Sequence, residues 1–250
     1  MIKLKEIPTK APKGLEKEDI KRKTDRMARR IGHLQHIMYA EKKHNFLVVF
    51  QGMDASGKDG ATRKVFAYCN PTGIKAFPFR KPTEEEFAHD FLWRINKQVP
   101  AKGMIQVFIR SHYEDVLIQR VHKWIDEETV NDRITAINEW EKHLERDNDT
   151  TILKFYMHIS PERQKEKLQE RIDDPGKQWK HNDADWKEAD LWKEYMSAYE
   201  DAINRSDVPW IVTPVDQRWY RDYFIAEQVL KEMEALQMKL PTFATLKPKD

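Results

Sequence analysis

Five short apolar runs alternating with helix-patterned stretches, a glycine cluster directly after the first run, and a length of 250 residues at 29.9 kDa predict one α/β domain. The alternation implies a five-stranded parallel sheet between two layers of helices, joined by right-handed crossovers. Ligands of such a three-layer α/β/α sandwich bind at the carboxyl ends of the strands. The catalytic edge is therefore expected near Gly52, Phe79, Ile109 and Ile159.

Residues 1–45 read as a basic leader and an N-terminal helix. Up to Arg30 there are 11 Lys or Arg against 5 Asp or Glu, and Ile20, Met27, Ile31, Leu34 and Met38 recur at helical spacing between Lys17 and Lys43. Phe46 to Phe50 is a β-prone run that suits a buried parallel strand. Lys58 to Tyr68 has no breaker beyond Gly60 and reads as a helix closed at Asn70-Pro71-Thr72-Gly73, before a second strand over Ile74 to Phe79. Thr83 with Glu86 three positions on predicts a capping box opening a helix through Lys97. After the break at Pro100 to Gly103, Met104 to Ile109 is a third strand, and Val116 to Ile125 and Arg133 to Glu145 keep helical patterns.

Thr151 to Ile159 gives a fourth strand, with Ser160 and Pro161 as cap and first-turn proline of a helix interrupted at Asp173-Asp174-Pro175-Gly176. Ala189 to Asn204 resumes a helix, Trp210 to Val215 is the fifth strand, and Arg218 to Leu236 is the final helix. The main domain is thus expected over 46–238, with a tail at 239–250. Trp93, Trp124, Trp140 and Trp192 fall in helical patterns and read as core or interface.

Composition narrows the partners. With 44 basic and 42 acidic groups the net charge is only +2, which gives no ground for nucleic-acid or membrane binding, so any basic surface must be local. Cys69 is the single cysteine, so no internal disulfide forms, and the first residues lack the apolar stretch of a secretory signal. A cytoplasmic location is the expectation. No run of about 18 apolar residues exists to span a membrane.

Gly52-Met53-Asp54-Ala55-Ser56-Gly57-Lys58 fits G-x-x-x-x-G-K, and its place between a strand and a helix makes the domain P-loop kinase-like. Glycine lets the backbone turn its N–H groups inward. Those donors, the helix N-terminus and Lys58 make a phosphate site over Gly52, Met53, Ala55, Ser56, Gly57 and Gly60. Asp59 stands where most such loops carry Ser or Thr, and Asp54 adds a second carboxylate. Two acids beside a phosphate cradle make sense if Mg2+ sits between, since a hard cation bridges carboxylate and phosphate oxygens. The alternative is that Asp59 caps the helix and Asp54 faces solvent.

Three separated motifs carry a wider resemblance: Gly52 to Gly60, Pro82-Thr83-Glu84-Glu85-Glu86 followed by His89 to Arg94, and Arg110-Ser111-His112-Tyr113-Glu114-Asp115-Val116. In that order, over about residues 15–235, the chain resembles the family-2 polyphosphate kinases. The resemblance implies a Mg2+-dependent enzyme, with Mn2+ as the alternative ion, moving phosphate from inorganic polyphosphate to adenine or guanine nucleotides, or the reverse. It also implies a homodimer or tetramer. The Ser-His-Tyr-Glu-Asp-Val stretch looks like the branch that takes AMP through ADP to ATP. One position departs: where the family usually carries Asp or Asn before the arginine, this chain has Ile109, which cannot ligate metal.

Residues 160–187 look like the family's helical lid, whose Lys167, Arg171, Lys177 and Lys180 could close over a polyanion; a solvated helical pair is the plainer reading. Arg80 and Lys81, after the second strand, are further candidates for a polyphosphate track. Arg110 could stabilise transferring phosphate oxygens or simply pair with Glu114 or Asp115. Glu114 and Asp115 could contact the acceptor or only start a helix, and Arg120 could bind phosphate or serve a helix face. His112 is given no acid-base role. The catalytic set expected is Asp54, Lys58, Asp59, Arg110 and Arg171, with Asp54 and Asp59 at the metal. Two other functions stay open: an ATP-dependent nucleoside monophosphate kinase of thymidylate-kinase type, and a non-catalytic polyanion binder supported only by the basic leader.

Overall fold

A computed structural model describes residues 1–243; of the tail expected at 239–250, residues 244–250 lie outside the described residues. Helix α1 (Lys17–Glu41) leads into β1 (Asn45–Gln51), α2 (Lys58–Val65) and β2 (Ile74–Pro78). Two one-turn helices, α3 (Glu84–Phe87) and α4 (Trp93–Asn96), precede β3 (Ile105–Ile109). A 3-10 turn (His112–Val116), α5 (Ile118–Val121) and α6 (Glu127–Asn148) follow, then β4 (Thr150–His158). The chain ends through α7 (Pro161–Asp173), α8 (Asp183–Asp190), α9 (Trp192–Asn204), β5 (Trp210–Pro214) and α10 (Arg218–Ala235).

All strand pairs are parallel, in the order β2-β3-β1-β4-β5. Strand β1 is central and buried at all seven positions, as expected where helices cover both faces. Helices α1, α2 and α10 pack on one another, and α6 packs on β4. The core runs through Phe46, Val48, Phe108, Phe155 and Met157 on the strands to Ile31 of α1 and Val229 of α10.

Two expectations need correction. The helix expected from Thr83 to Lys97 is two short pieces: the Thr83–Glu86 capping box forms, but the turn stops at Phe87. Asp90 restarts the chain by accepting from the Leu92 amide at 3.0 Å, a local side-chain bond that competes with continuing the helix. The helix expected over Val116 to Ile125 is mostly the 3-10 turn and α5, closed where Lys123 turns to a φ of 56°. Trp124 is 65% exposed and so belongs to no core of this chain, whereas Trp140 is buried and donates its indole N–H to Asn96 at 2.7 Å.

The leader packs on its own chain. Leu4 is buried, its amide donates to Glu200 at 2.8 Å, Thr9 Oγ1 donates to Asp216 at 2.8 Å, and the Ala11 amide donates to Gln217 at 2.8 Å. Among the described residues no helix is long and apolar enough to cross a membrane.

Candidate active site

At the end of β1 the chain turns through Gly52 and enters α2 at Gly57, whose φ of 94° is a left-handed conformation that an L side chain rarely adopts. Space forbids a side chain there as well. A Cβ on Gly57 would lie 2.1 Å from the guanidinium of Arg221, and one on Gly60 would lie 3.2 Å from the same group. The loop's backbone is therefore bare on the side where a cation from α10 approaches.

Lys58 folds back over this loop and is 7% exposed; its Nζ donates to the carbonyls of Gly52 at 2.7 Å and Met53 at 3.1 Å. Burial pushes the ammonium down to about 8, with Asp54 opposing and Arg110 adding to the fall. An ammonium has three donors, so one remains for a ligand. In the unfolded chain Lys58 takes the ordinary lysine value, so between about pH 8 and 10.5 the unfolded state binds more protons and stability rises with pH. Lys58→Met is thus expected to melt higher than the wild type at pH 7.5, with the gap closing toward pH 10. Calorimetric Tm values across that range check this; a pH-independent gap would argue against a destabilising charge at this position.

Arg110 leaves β3 with a φ of 62°, which turns the chain sharply into the 3-10 turn and aims the guanidinium at the loop. It ion-pairs with Asp54 and lies 3.8 Å from Glu114. Burial favours the neutral acid at Asp54, but Arg110 and Lys58 outweigh it and hold the carboxyl below its ordinary range. Glu114 and Asp54 in turn raise Arg110, against burial, so this side chain is permanently charged. Glu114 also accepts from Gln51, so it sits behind Arg110 in a part-buried position.

Lys58, Arg63, Lys64, Arg80, Lys81, Arg110, Lys167, Arg171, Lys177, Lys180, Arg218 and Arg221 line one cleft of about 920 Å³, against four acids, Asp54, Asp59, Glu170 and Asp222. In a chain of net charge +2 this is the local basic surface that the composition required. Arg171 of α7 ion-pairs with Asp185 of α8 and donates to the Lys180 carbonyl at 3.2 Å, so one arginine ties the two helices over the cleft. Trp179 lies on the same wall.

Of the residues expected from sequence, Asp54, Ala55, Gly57, Lys58, Asp59, Gly60, Arg80, Lys81, Arg110, Lys167, Arg171, Lys177 and Lys180 meet in this cleft. Gly52 and Met53 contribute the carbonyls under Lys58, and Ser56 is fully buried. Three further expected residues do not line the cleft, Glu114 being the one set behind Arg110. Arg120 faces away and is held by Glu127 at 2.6 Å and Asp201 at 2.7 Å, the helix-face alternative. Asp115 is buried beside Arg94, 3.6 Å away, and burial pushes it up to about 6 against Arg94 and Arg133. His112 is fully buried against Glu141 at 3.3 Å, and burial pushes the imidazole down toward neutrality. Arg218 and Arg221 were not singled out from the sequence. Their only signal is two arginines three apart in the first turn of a helix that follows a strand ending at the catalytic edge.

A parallel sheet of this order, with a glycine loop, a buried lysine and a basic cleft covered by helices, defines a phosphotransferase of the P-loop kind. The family model for polyphosphate kinase 2 matches residues 14–241, and the chain belongs to that family. It is 44% identical over 216 residues to the AMP/ADP-polyphosphate phosphotransferase of Meiothermus ruber, covering 85% of this chain and 80% of that one. It is 39% identical over 227 residues to the ADP-polyphosphate phosphotransferase of Rhodopseudomonas palustris, covering 85% and 78%. The crystal structure of polyphosphate kinase 2 from Arthrobacter aurescens TC1 superposes with a TM-score of 0.93 at 38% identity, over 96% of this chain and 88% of that one.

Proposed function

We propose that this enzyme moves the terminal phosphate of inorganic polyphosphate to AMP and to ADP, reversibly and with Mg2+. The carrying observation is the cleft itself: twelve cations against four acids around a phosphate loop. So much like charge in one concavity is relieved only by a ligand that is anionic along its length. The 44% identity to a protein named for AMP and ADP supports the choice of acceptors.

The donor set fits a hard divalent ion. Asp54 and Asp59 both line the cleft, while the described residues hold no group of three or more His, Cys, Asp or Glu able to hold a metal. Magnesium takes one or two carboxylates and draws its remaining oxygens from phosphate and water, so no larger cage is needed. When bound it supplies charge neutralisation on the transferring group. Ile109 lines the cleft but contributes no ligand.

Lys58 and the loop amides hold the phosphoryl group, Arg110 stabilises its equatorial oxygens, and Asp54 fixes Arg110. Arg171 completes the cationic ring from the lid helices α7 and α8, which exclude water from the donor. Glu114, behind Arg110, shapes the acceptor side, and Asp115 takes no part; Arg80, Lys81, Lys177 and Lys180 extend the track. The acceptor phosphate oxygen needs no deprotonation, so a buried neutral His112 has no part in the chemistry. Transfer is in-line, without a covalent enzyme intermediate, by positioning and charge. Cytoplasmic operation and a homo-oligomeric state belong to the same proposal.

The test is the purified protein with Mg2+, AMP or ADP, and either polyphosphate or ATP as sole donor. With polyphosphate, ATP is expected to form from ADP, and ADP then ATP from AMP. Transfer to AMP from ATP alone would select the thymidylate-kinase type of reaction, and no transfer from either donor would leave a polyanion binder.

A further inference from the structure

Gln164 stands on the first turn of α7, is 1% exposed, and donates from Nε2 to the backbone carbonyl of Asp54 at 3.1 Å. A carbonyl only accepts, so the side-chain nitrogen must face it. The other end of the same amide is left over: Oε1 is buried with no hydrogen-bond partner among the described residues. A buried unpaired acceptor destabilises the fold, and leucine or methionine would fill the space without that penalty. A glutamine at this position is therefore explained by the bond its nitrogen makes. The helix holds that amide in a fixed place. Ser160, its cap, donates from the backbone N–H and from Oγ to the two carboxylate oxygens of Asp216, at 2.9 Å each, and Thr9 of the leader bonds the same carboxylate at 2.8 Å. Arg163 Nε donates to the Asp216 carbonyl at 3.2 Å, so the start of α7 is tied to the end of β5.

The bonded carbonyl belongs to the central peptide of a turn. The Ser56 amide donates to the Met53 carbonyl at 3.2 Å, and Ala55 has a φ of 63° while Asp54 keeps a negative φ. That combination is the type II pattern, which differs from the commoner type I by a turned-over central peptide and favours glycine where this chain has Ala55. An L-residue there carries backbone strain. The Asp54–Ala55 peptide is trans, so its C=O and N–H point opposite ways. Holding the carbonyl toward α7 turns the Ala55 N–H to the far side, where it donates to nothing among the described residues. Asp54 and Ala55 both line the cleft, whereas Gln164 does not.

We infer that Gln164 is a positioning residue: from beneath the loop it holds the Asp54–Ala55 peptide in the strained orientation that presents the Ala55 N–H to a phosphoryl group beside Lys58. The inference rests on the reading of that loop as a phosphate site and adds what fixes its backbone. Without the bond, alanine relieves its strain by letting the peptide turn over. An N–H donor is then withdrawn, and a carbonyl with its partial negative charge takes its place before the anion.

The experiment is a double-mutant cycle read by calorimetric binding of tripolyphosphate with no acceptor present, on wild type, Gln164→Leu, Ala55→Gly and the double variant. Gln164→Leu is expected to raise the Kd about tenfold or more, the worth of one hydrogen bond to a charged group, while Tm moves by less than about 4 °C. Glycine takes a positive φ without strain, so with Ala55→Gly the turn keeps its orientation unaided. In that background the loss caused by Gln164→Leu should shrink to less than about threefold. A residue that merely packs α7 would cost the same factor in both backgrounds. In turnover with polyphosphate and ADP, kcat should follow the same cycle. Gln164→Met, which keeps the unbranched stem, is carried through it if the leucine variant does not fold. Equal losses in both backgrounds, or no loss in either, would overturn the role of Gln164. A wild type that binds tripolyphosphate but transfers nothing would overturn the proposed reaction and leave the cycle to decide the positioning; one that binds none would overturn both.

Discussion

Lys58→Met is expected to lower kcat by about 10³-fold or more while the protein remains folded and, near neutral pH, more stable than the wild type. The two effects share one origin. The ammonium is buried over the carbonyls of Gly52 and Met53, where it destabilises the ligand-free fold and where, in the proposed reaction, a transferring phosphoryl group would meet a cation that needs no reorganisation. Methionine keeps the stem's packing and removes the charge. Arginine would not restore activity, because a planar guanidinium cannot donate to those carbonyls from the same pocket and still reach a phosphate. Steady-state rates with polyphosphate and ADP, beside thermal melts of the same preparations, check both halves. A variant retaining more than a tenth of wild-type kcat would mean that the chemistry takes place away from the loop.

If the proposed role of Lys58 holds, the same lysine is expected to set a pH limit on catalysis. Because burial pushes its folded value down to about 8, kcat/KM for the free enzyme should fall above that pH, although an ordinary lysine would stay charged past pH 10.

How far this site was legible depends on whether its residues were local in sequence. The strand, the glycine turn and the lysine lie within Asn45 to Lys58, so short-range spacing fixed their geometry, and the loop stands at the central strand as expected. Strand alternation likewise implied the parallel sheet, since fully apolar runs leave no other way to bury both faces. The helices around Thr83 to Lys97 were harder: their pattern is helical throughout, but one aspartate bond at Leu92 ends what periodicity would continue. Arg120 shows the opposite limit. Ten residues after Arg110 it looks equally available, yet Glu127 and Asp201 hold it away from the cleft, and Asp201 is 81 positions distant. Arg221 was invisible for a similar reason. The space its guanidinium occupies lies over two glycines some 160 positions earlier, and no local pattern records an absent side chain.

Asp54→Asn separates the catalytic reading of the loop acids from the plain one. If Asp54 only faced solvent, the amide would change little. In the structure its carboxylate is bound by Arg110, is only 22% exposed, and is held ionised by Arg110 and Lys58 against the cost of burial. The amide keeps the shape and loses the charge, so Arg110 is left with Glu114, 3.8 Å away on the other side, and leans out of line with the transferring group. The expected result is a fall in kcat of about 10²- to 10³-fold, together with a rise of about tenfold or more in the Mg2+ concentration that gives half-maximal rate. Acid stability supplies a control that does not depend on turnover. The folded carboxyl lies below its unfolded value, so its contribution is present above about pH 4 and is lost as pH falls through the folded value. The amide variant should therefore be less stable than wild type near pH 7, with the two converging in strong acid. An unchanged Mg2+ profile with kcat intact would return Asp54 to the solvent-facing role and leave Asp59 alone to recruit the ion. A lowered kcat with an unchanged Mg2+ profile would instead assign Asp54 wholly to the alignment of Arg110.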